Sequence, residues 1–480
     1  MLVGLDIGTT NVKAVAAGDD NAALASAARP NRTRAPQPGF SEQDPEAVFQ
    51  NVLAVLRKVA AAGAQRCAEP LRGVVFSSAM HGLLAVDESG EPLTNIWLWS
   101  DLRADAIARA LRNSAEGMEI YRRTGVPLHA MSPLAKIIWL KQNLPGIFKK
   151  THKFLGIKEF VWHRLTGHCE SDLSLASATG LLDIRTNSWD GQALNLCGIS
   201  PDRLPRPVLP SHIAHVNTSP SPENAFLSGV PLVIGASDGA FANTGSGAVH
   251  PGHFAVTIGT SAAIRTIIGT PETDARMRTF CYRVDESRCI AGGASNNGAN
   301  ALEWLRTQVF QSPLDTERFA NLSSHAPPGC NGLLFLPYVQ GERAPLYDAH
   351  ATGAFSGLRT AHKQAHFVRA VMEGLLFNLK MIGEALEERH PIRLLYASGG
   401  FSHNALWVQM LADIFQKRVI LTDETVDASV KGALQLGRSV LQLERIPDDQ
   451  QKKEVEPDIR LALRYREHFE RFKTFAQQAS

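Results

Sequence analysis

The sequence predicts an α/β protein whose two domains face each other across a cleft, and three observations lead to that reading. Residues 2–13, LVGLDIGTTNVK, form an apolar strand running into a turn of glycine and hydroxyl residues, and residues 254–264, FAVTIGTSAAI, repeat the pattern past mid-chain. Gly8 and Gly259 stand 251 positions apart, too far for a short-period solenoid and suited to two halves of a duplicated fold. The 480 residues also exceed what one hydrophobic core normally supports, so the chain divides into 1–248 and 249–480. Two such turns, opposed, make a phosphate clamp. The first strand brings Asp6 to it, and the second brings Thr257 at the matching position. A carboxylate on one wall, with backbone amides and hydroxyls on both, is what a magnesium nucleotide requires, because Mg2+ takes oxygen ligands and phosphate oxygens need donors.

Along the first half, residues 1–17 read as strand, turn and strand, with Val12, Ala14 and Ala16 alternating against polar neighbours. The proline-punctuated loop 36–45 ends in Asp44-Pro45-Glu46, which opens a helix with Val48, Val52, Val55 and Val59 at helical spacing. Residues 71–77 are a buried strand feeding the loop Ser78-Ala79-Met80-His81, and chemistry on open sheets collects where strands end in loops. Amphipathic helices follow at 132–144 and 157–165, then an irregular connection over 200–222. The strand 230–237, VPLVIGAS, delivers Asp238-Gly239 at its exit.

The second half begins near His250-Pro251-Gly252, and its residues 394–404, LLYASGGFSHN, read as a strand, a double-glycine turn and a helix start. The tail 450–480 is charged and helical. His362 and His366 could share a helix face but lack a third ligand, so they read as surface residues.

Composition narrows the partners. Lys and Arg number 49 against 47 Asp and Glu, which leaves no basic field to hold nucleic acid or an anionic membrane, and small molecules remain. Six scattered cysteines without a CxxC pair or zinc spacing read as reduced thiols in a cytoplasmic protein. The phosphate strand starts straight after Met1, with no room for a targeting segment, and no uncharged apolar run approaches the roughly 18 residues of a membrane span. The absence of GxxxxGK and GxGxxG sets aside P-loop kinases and dinucleotide dehydrogenases.

Local sequence leaves two readings of Asp238: a helix cap, since Asp is favoured at N-cap, or a carboxylate reaching into the cleft between small neighbours Ser237 and Gly239. Gly399-Gly400 likewise fits a plain turn or a nucleotide site.

Over essentially its whole length the chain resembles the FGGY carbohydrate kinases, through DIGTTNVKA, SSAMHGLLAVD, TGVPLHAMSPLAKIIWL, GIKEF, SLASATGLLDI, GASDGAFAN, TIGTSAAIR, GERAP and SGGFSHNALWVQMLADIF. Within that family PLHAMSPL, ASATGLLDI and GASDG look most like the bacterial gluconokinase group. The resemblance implies the duplicated actin-like, ribonuclease H-like ATPase fold with ATP in the cleft. It implies that Asp6 holds Mg2+ through water or steers the phosphoryl group, and that Thr9, Thr10, Asn11 and Lys13 bind phosphate oxygens, with Thr260 and Ser261 approaching from the other wall. Gly298, Gly399 and Gly400 would lie against the nucleotide, with Asn404 on its polar edge. Met80 and His81 would contact sugar hydroxyls, and Asp238 would be the catalytic base.

Asp101 and Arg103 match an element of the same cleft. Arg103 would pair with a substrate carboxylate through two oxygens, the alternative being an exposed helix-start salt bridge. The expected reaction is ATP-dependent phosphorylation of an open-chain sugar acid, D-gluconate to 6-phosphogluconate first and a pentulose such as xylulose second. A nucleotide-switched binding protein of the same superfamily is the rival from another class, and a homodimer is left open. Gly82, Leu102 and Ala299 depart from the family pattern and bear on the substrate more than on the reaction.

Overall fold

The computed structural model describes residues 1–18, 23–67, 70–217, 223–421, 426–444 and 453–479. The two strand-and-turn segments found in sequence are the central hairpins of two open sheets. In the first, β1 (Leu2–Ile7), β2 (Asn11–Ala17), β3 (Ala23–Pro30), β4 (Gly73–Ser78), β5 (Ile213–Ala214) and β6 (Leu232–Ser237) lie in the order β5-β6-β4-β1-β2-β3. In the second, β7 (His253–Ile258), β8 (Ala262–Ile268), β9 (Phe280–Arg283), β10 (Cys289–Ser295), β11 (Leu394–Ser398), β12 (Val419–Leu421) and β13 (Lys453–Val455) lie in the order β9-β10-β8-β7-β11-β12-β13.

Antiparallel β3-β2-β1 continued by parallel β1-β4-β6 is matched by antiparallel β10-β8-β7 continued by parallel β7-β11-β12. The duplication is therefore one of topology. It extends to register, with Asp6 opposite Ser77 in the first sheet and Thr257 opposite Ser398 in the second.

Helix α1 (Pro45–Arg66) starts where expected, because the Asp44 side chain accepts from the backbone amides of Glu46 and Ala47. Its apolar positions Val48, Val52, Val55 and Val59 are buried, and the helix packs on β2 and β3. By length and composition α1 could cross a membrane, yet its valine stripe is spent on the sheet. The amphipathic segments form helices at Pro133–Asn143 and Ile157–Thr166. The connection after 200 contains short strands at Arg206–Val208 and β5, and its residues 218–222 lie outside the described residues.

The second layer is built around α3 (Gln364–Glu387), which follows α2 (Asp238–Gly245) in this numbering and is buried along most of its length. His366 is not a surface residue: its Nδ1 accepts from the Lys363 amide at 3.1 Å in the first turn of α3, and its ring is buried. The tail is more than a charged helix. Residues 453–455 add strand β13, and the last helix, Ala462–Ala479, buries Tyr465, Phe469 and Phe472 in the second core, while 450–452 and 480 lie outside the described residues.

The stretches 1–248 and 249–480 hold one sheet each, but α5 (Ala428–Val440), which follows α4 (Ala405–Phe415), crosses back and packs on α2, β1 and β4 of the first sheet. At Gly432 the approach is so close that a Cβ would stand 2.3 Å from the Phe241 carbonyl oxygen, so only glycine fits there. Elsewhere the halves touch directly. The Tyr121 hydroxyl accepts from the Asp274 amide (2.9 Å) and donates to the Thr279 carbonyl (2.7 Å), and the Cys281 amide donates to the Gly125 carbonyl (2.9 Å).

Candidate active site

Both glycine-hydroxyl turns are clamped through their backbones. In the first, the Gly8 amide donates to the Asn11 carbonyl (3.0 Å), Asn31 Nδ2 donates to the Gly8 carbonyl (2.9 Å) and Gln43 Nε2 to the Thr9 carbonyl (2.7 Å). In the second, the Gly259 amide donates to the Ser261 carbonyl (2.9 Å) and the Ala299 amide to the Gly259 carbonyl (2.8 Å). With the carbonyls held, the hydroxyls of Thr9, Thr10, Thr260 and Ser261 and the Asn11 amide carry no hydrogen bond within the described residues and remain available as donors. Gly298 lies hard against the second turn, where a Cβ would sit 2.6 Å from the carbonyl oxygens of Gly259 and Ser261.

At the double glycine, Gly399 is held at φ 94° beside Ile258, while Gly400 has nothing within 4 Å of an added Cβ and presents an open face. Asn404 is occupied in the fold: its Oδ1 accepts from the Trp407 amide (3.0 Å) as the N-cap of α4, and its Nδ2 donates to Asn321 Oδ1 (3.0 Å). Lys13 Nζ lies 2.7 Å from Asp427 Oδ2, both side chains being exposed.

The carboxylates come from strand ends of the first sheet. Asp6 Oδ1 accepts from Ser77 Oγ (2.8 Å), its register partner on β4, and burial pushes the Asp6 carboxyl above its usual range. The two readings of Asp238 separate here. Ser237, not Asp238, caps α2, its Oγ accepting from the Ala240 amide at 3.2 Å. Asp238 is the first residue of that helix, and among the described residues its carboxylate accepts only from the Gly239 amide, through Oδ1 (2.6 Å). Burial, reinforced by repulsion from Asp6, pushes the Asp238 carboxyl up to about 6, against the opposing pull of Arg265 and Arg343.

Among the described residues no group of three or more His, Cys, Asp or Glu side chains is placed to hold a metal ion. Asp6 and Asp238 instead put two carboxylates on one cleft, which fits a cation arriving on a nucleotide with most of its shell made of water and phosphate oxygens.

Met80 and His81 leave β4 beside Asp238, with an added Cβ at Gly239 falling 3.2 Å from Met80 Cε, and Met80 lines one pocket with Gly8 and Thr9 of the first turn. His81 is held at φ 67°, a conformation uncommon for a non-glycine residue. Its ring lies 2.8 Å, through Nδ1, from the Ala178 carbonyl; a carbonyl only accepts, so Nδ1 carries the proton and Nε2 is an acceptor. Burial lowers this histidine to about 3 and keeps it neutral. Lys136 fixes the loops on either side: it is fully buried and donates to the carbonyls of His81 (2.7 Å), Trp97 (3.2 Å) and Leu98 (2.6 Å).

Asp101 and Arg103 are brought to each other more than to the cleft. Arg103 Nε and Nη2 donate to Asp101 Oδ1 (2.8 Å) and Oδ2 (2.9 Å), Nη2 also reaches Glu42, and the guanidinium lies 3.9 Å from the Trp97 ring centroid and 4.1 Å from that of Phe40. Only 3 % of the Arg103 side chain is exposed, so its fork is filled before any substrate carboxylate arrives, and the pair is a buried brace in place of an exposed salt bridge.

The cations that do face Asp238 are Arg265 and Arg343, to which the sequence reading gave no role. Arg265 Nη2 donates to Thr257 Oγ1 (2.9 Å) and Nη1 to the Gly239 carbonyl (3.4 Å). Arg343 Nη2 donates to the Ser295 carbonyl (3.0 Å), and its guanidinium lies 4.6 Å from the Trp99 ring centroid. The available signal was a lone arginine in the otherwise apolar strand β8 and another in GERAP, both within segments already set apart.

Comparison with known proteins agrees with this geometry. Residues 1–245 match the N-terminal domain, and residues 254–439 the C-terminal domain, of the FGGY family of carbohydrate kinases. A gluconokinase of Bacillus licheniformis is 38% identical over 451 residues, covering 91% of this chain and 86% of that protein. A xylulose kinase of Bacillus subtilis (strain 168) is 30% identical, covering 87% and 84%. The crystal structure of gluconate kinase from Lactobacillus acidophilus superposes with a TM-score of 0.93 at 31% identity, over 99% of this chain and 97% of that one. With both halves matched in order, the chain belongs to the FGGY family of carbohydrate kinases and is an ATP-dependent sugar phosphotransferase.

Proposed function

We propose that the chain transfers the γ-phosphoryl of ATP to a hydroxyl of an open-chain sugar acid, with D-gluconate giving 6-phosphogluconate as the leading case. The observation that carries the mechanism is Ser237 capping α2, which leaves the Asp238 carboxylate free beside Met80. Asp238 takes the proton as the acceptor oxygen becomes nucleophilic, and a carboxyl at about 6 is ionised at neutral pH yet basic enough to do so. His81 Nε2 accepts from a sugar hydroxyl and orients the chain. The hydroxyls and amides of the two turns receive the phosphate oxygens, where charge spreads during transfer. Mg2+ entering with the nucleotide would be held on the Asp6 side and supply charge neutralisation. The sugar acid is favoured by the gluconokinase and gluconate kinase relatives. A pentulose is the second reading, supported by the xylulose kinase relative and by Gly82 after His81.

ADP release against a panel of sugar acids, ketoses and polyols tests the assignment. Gluconate should give the highest kcat/KM; a neutral ketose ahead of every acid would move the substrate to the pentuloses.

A further inference from the structure

Resting on the sugar-acid reading, we propose that the substrate carboxylate is bound by Arg343 of the second half together with His129 of the first, and not by Arg103. Arg343 has no carboxylate within ion-pair distance among the described residues, and its Nε is buried without a hydrogen-bond partner. Glu342 beside it is committed elsewhere, accepting from Ser295 Oγ (2.7 Å), the Asn296 amide (2.9 Å) and Asn378 Nδ2 (3.2 Å). A buried guanidinium that feels Glu342 and Asp238 only at a distance, with no carboxylate in contact, is unfavourable unless a ligand supplies one.

Three further buried polar atoms near this guanidinium lack partners: His129 Nε2, Tyr282 Oη and Tyr347 Oη. All three side chains are at least 97 % buried, with relative exposures of 3 %, 2 % and 3 %. Tyr347 shares a turn with Arg343, its amide donating to the Arg343 carbonyl, and its ring lies 6.3 Å from that of His129, while the Tyr282 ring lies 5.7 Å from that of His81. The charge of Arg343 is felt by each of them and by Asp238, which sets this cluster on the same side of the fold as the proposed base.

Chemistry distinguishes the two histidines. His81 Nδ1 gives its proton to a carbonyl, leaving Nε2 to accept from a hydroxyl. His129 is the reverse: its Nδ1 accepts from the Met131 amide (3.2 Å), so the ring proton is on Nε2, a donor with nothing to receive it. A donor imidazole, a guanidinium with a free N–H and two phenols suit a carboxylate followed by hydroxyls. Tyr347 is held at φ 53°, like His81 a non-glycine residue of this cluster kept in the left-handed region, as strained residues at ligand sites often are. His129 also gives a role to PLHAMSPL, a segment otherwise unused by the mechanism.

The test measures kcat and KM for gluconate and for a neutral ketose, at saturating ATP, in wild type, Arg343→Gln and His129→Leu. For gluconate, KM should rise about 10- to 100-fold in each variant, the range for losing a charge-assisted bond, while the neutral acceptor changes less than about 3-fold. Equal losses on both acceptors, or unchanged KM for gluconate, overturn the carboxylate site and leave the kinase reading standing. A wild type that ignores every acid overturns the sugar-acid reading and the carboxylate site together. Should Arg343→Gln not fold, His129→Leu and calorimetric binding of gluconate against glucitol to the wild-type protein decide, and equal affinity for the two overturns the site.

Discussion

The two halves of the molecule carry the same five-strand pattern and differ at a handful of strand ends. In the first, Asp6 and Ser77 face each other across β1 and β4, with the hydroxyl donating to the carboxylate at 2.8 Å. In the second, Thr257 and Ser398 hold the same positions across β7 and β11, as two hydroxyls 3.0 Å apart. Where the first half has an acid, the second has a neutral residue that receives a bond from Arg265. The duplication therefore gives two backbones with the same glycine-hydroxyl turn, and single side chains at equivalent positions make them different. In the proposed mechanism Asp6 and Asp238 lie on one wall, and the open face of Gly400 lies on the other.

The harshest way to break that division is to neutralise the base. Asp238→Asn should lower kcat on the order of 10²-fold or more, with ATP affinity nearly unchanged. It should also stabilise the fold. A carboxyl at about 6 when folded and 3.8 when unfolded binds its proton more tightly in the native state. It therefore subtracts stability progressively as pH rises from about 4 to 6 and fully above that. The variant should be more stable than wild type above pH 6, by on the order of 2 kcal/mol, and no different near pH 3.5. Denaturant unfolding at both pH values checks the sign, and wild-type turnover in the variant would end the base assignment. In the unmutated enzyme kcat/KM should fall as pH drops through about 6.

Glycines sharpen the comparison on the other wall. Gly298→Ala forces a Cβ to within 2.6 Å of two carbonyl oxygens of the second phosphate turn, whereas Gly400→Ala meets open space. The first should lose roughly 1–3 kcal/mol of stability together with ATP affinity. The second should keep its melting temperature and lose ATP affinity alone. Melting curves beside ATP titration calorimetry separate the two, and an unaltered affinity in Gly400→Ala would remove that glycine from the nucleotide site.

The mildest test makes the second half imitate the first. Thr257→Asp should draw Arg265 into an ion pair, withdraw its support from Asp238 and move the acid limb of kcat/KM upward by about half to one pH unit. A limb that stays in place would show that Arg265 does not tune the base.

Much of the site was legible because it follows from short-range patterns. Strand, glycine and hydroxyls in a row mark both turns, and a carboxylate between small residues at a strand exit marks Asp238. Local sequence could not separate cap from base, since Ser237 and Asp238 both cap helices well; the choice of Ser237 depends on the backbone path of β6 into α2. Arg103 was misleading for a related reason. A D-x-R spacing shows that the two side chains can meet, but not that Phe40, Glu42 and Trp97, from other parts of the chain, enclose the guanidinium.

The sequence by itself determined the duplication, the two-domain α/β fold, the two glycine-hydroxyl turns and the family. Only the tertiary structure decided which cations face Asp238, that Gly298 must be glycine, and that α5 returns to the first sheet from the far end of the chain. The physical reason is range. Periodicity and turn chemistry act over a few neighbouring residues, whereas a guanidinium is filled or free according to side chains up to hundreds of positions away, which only packing brings within reach.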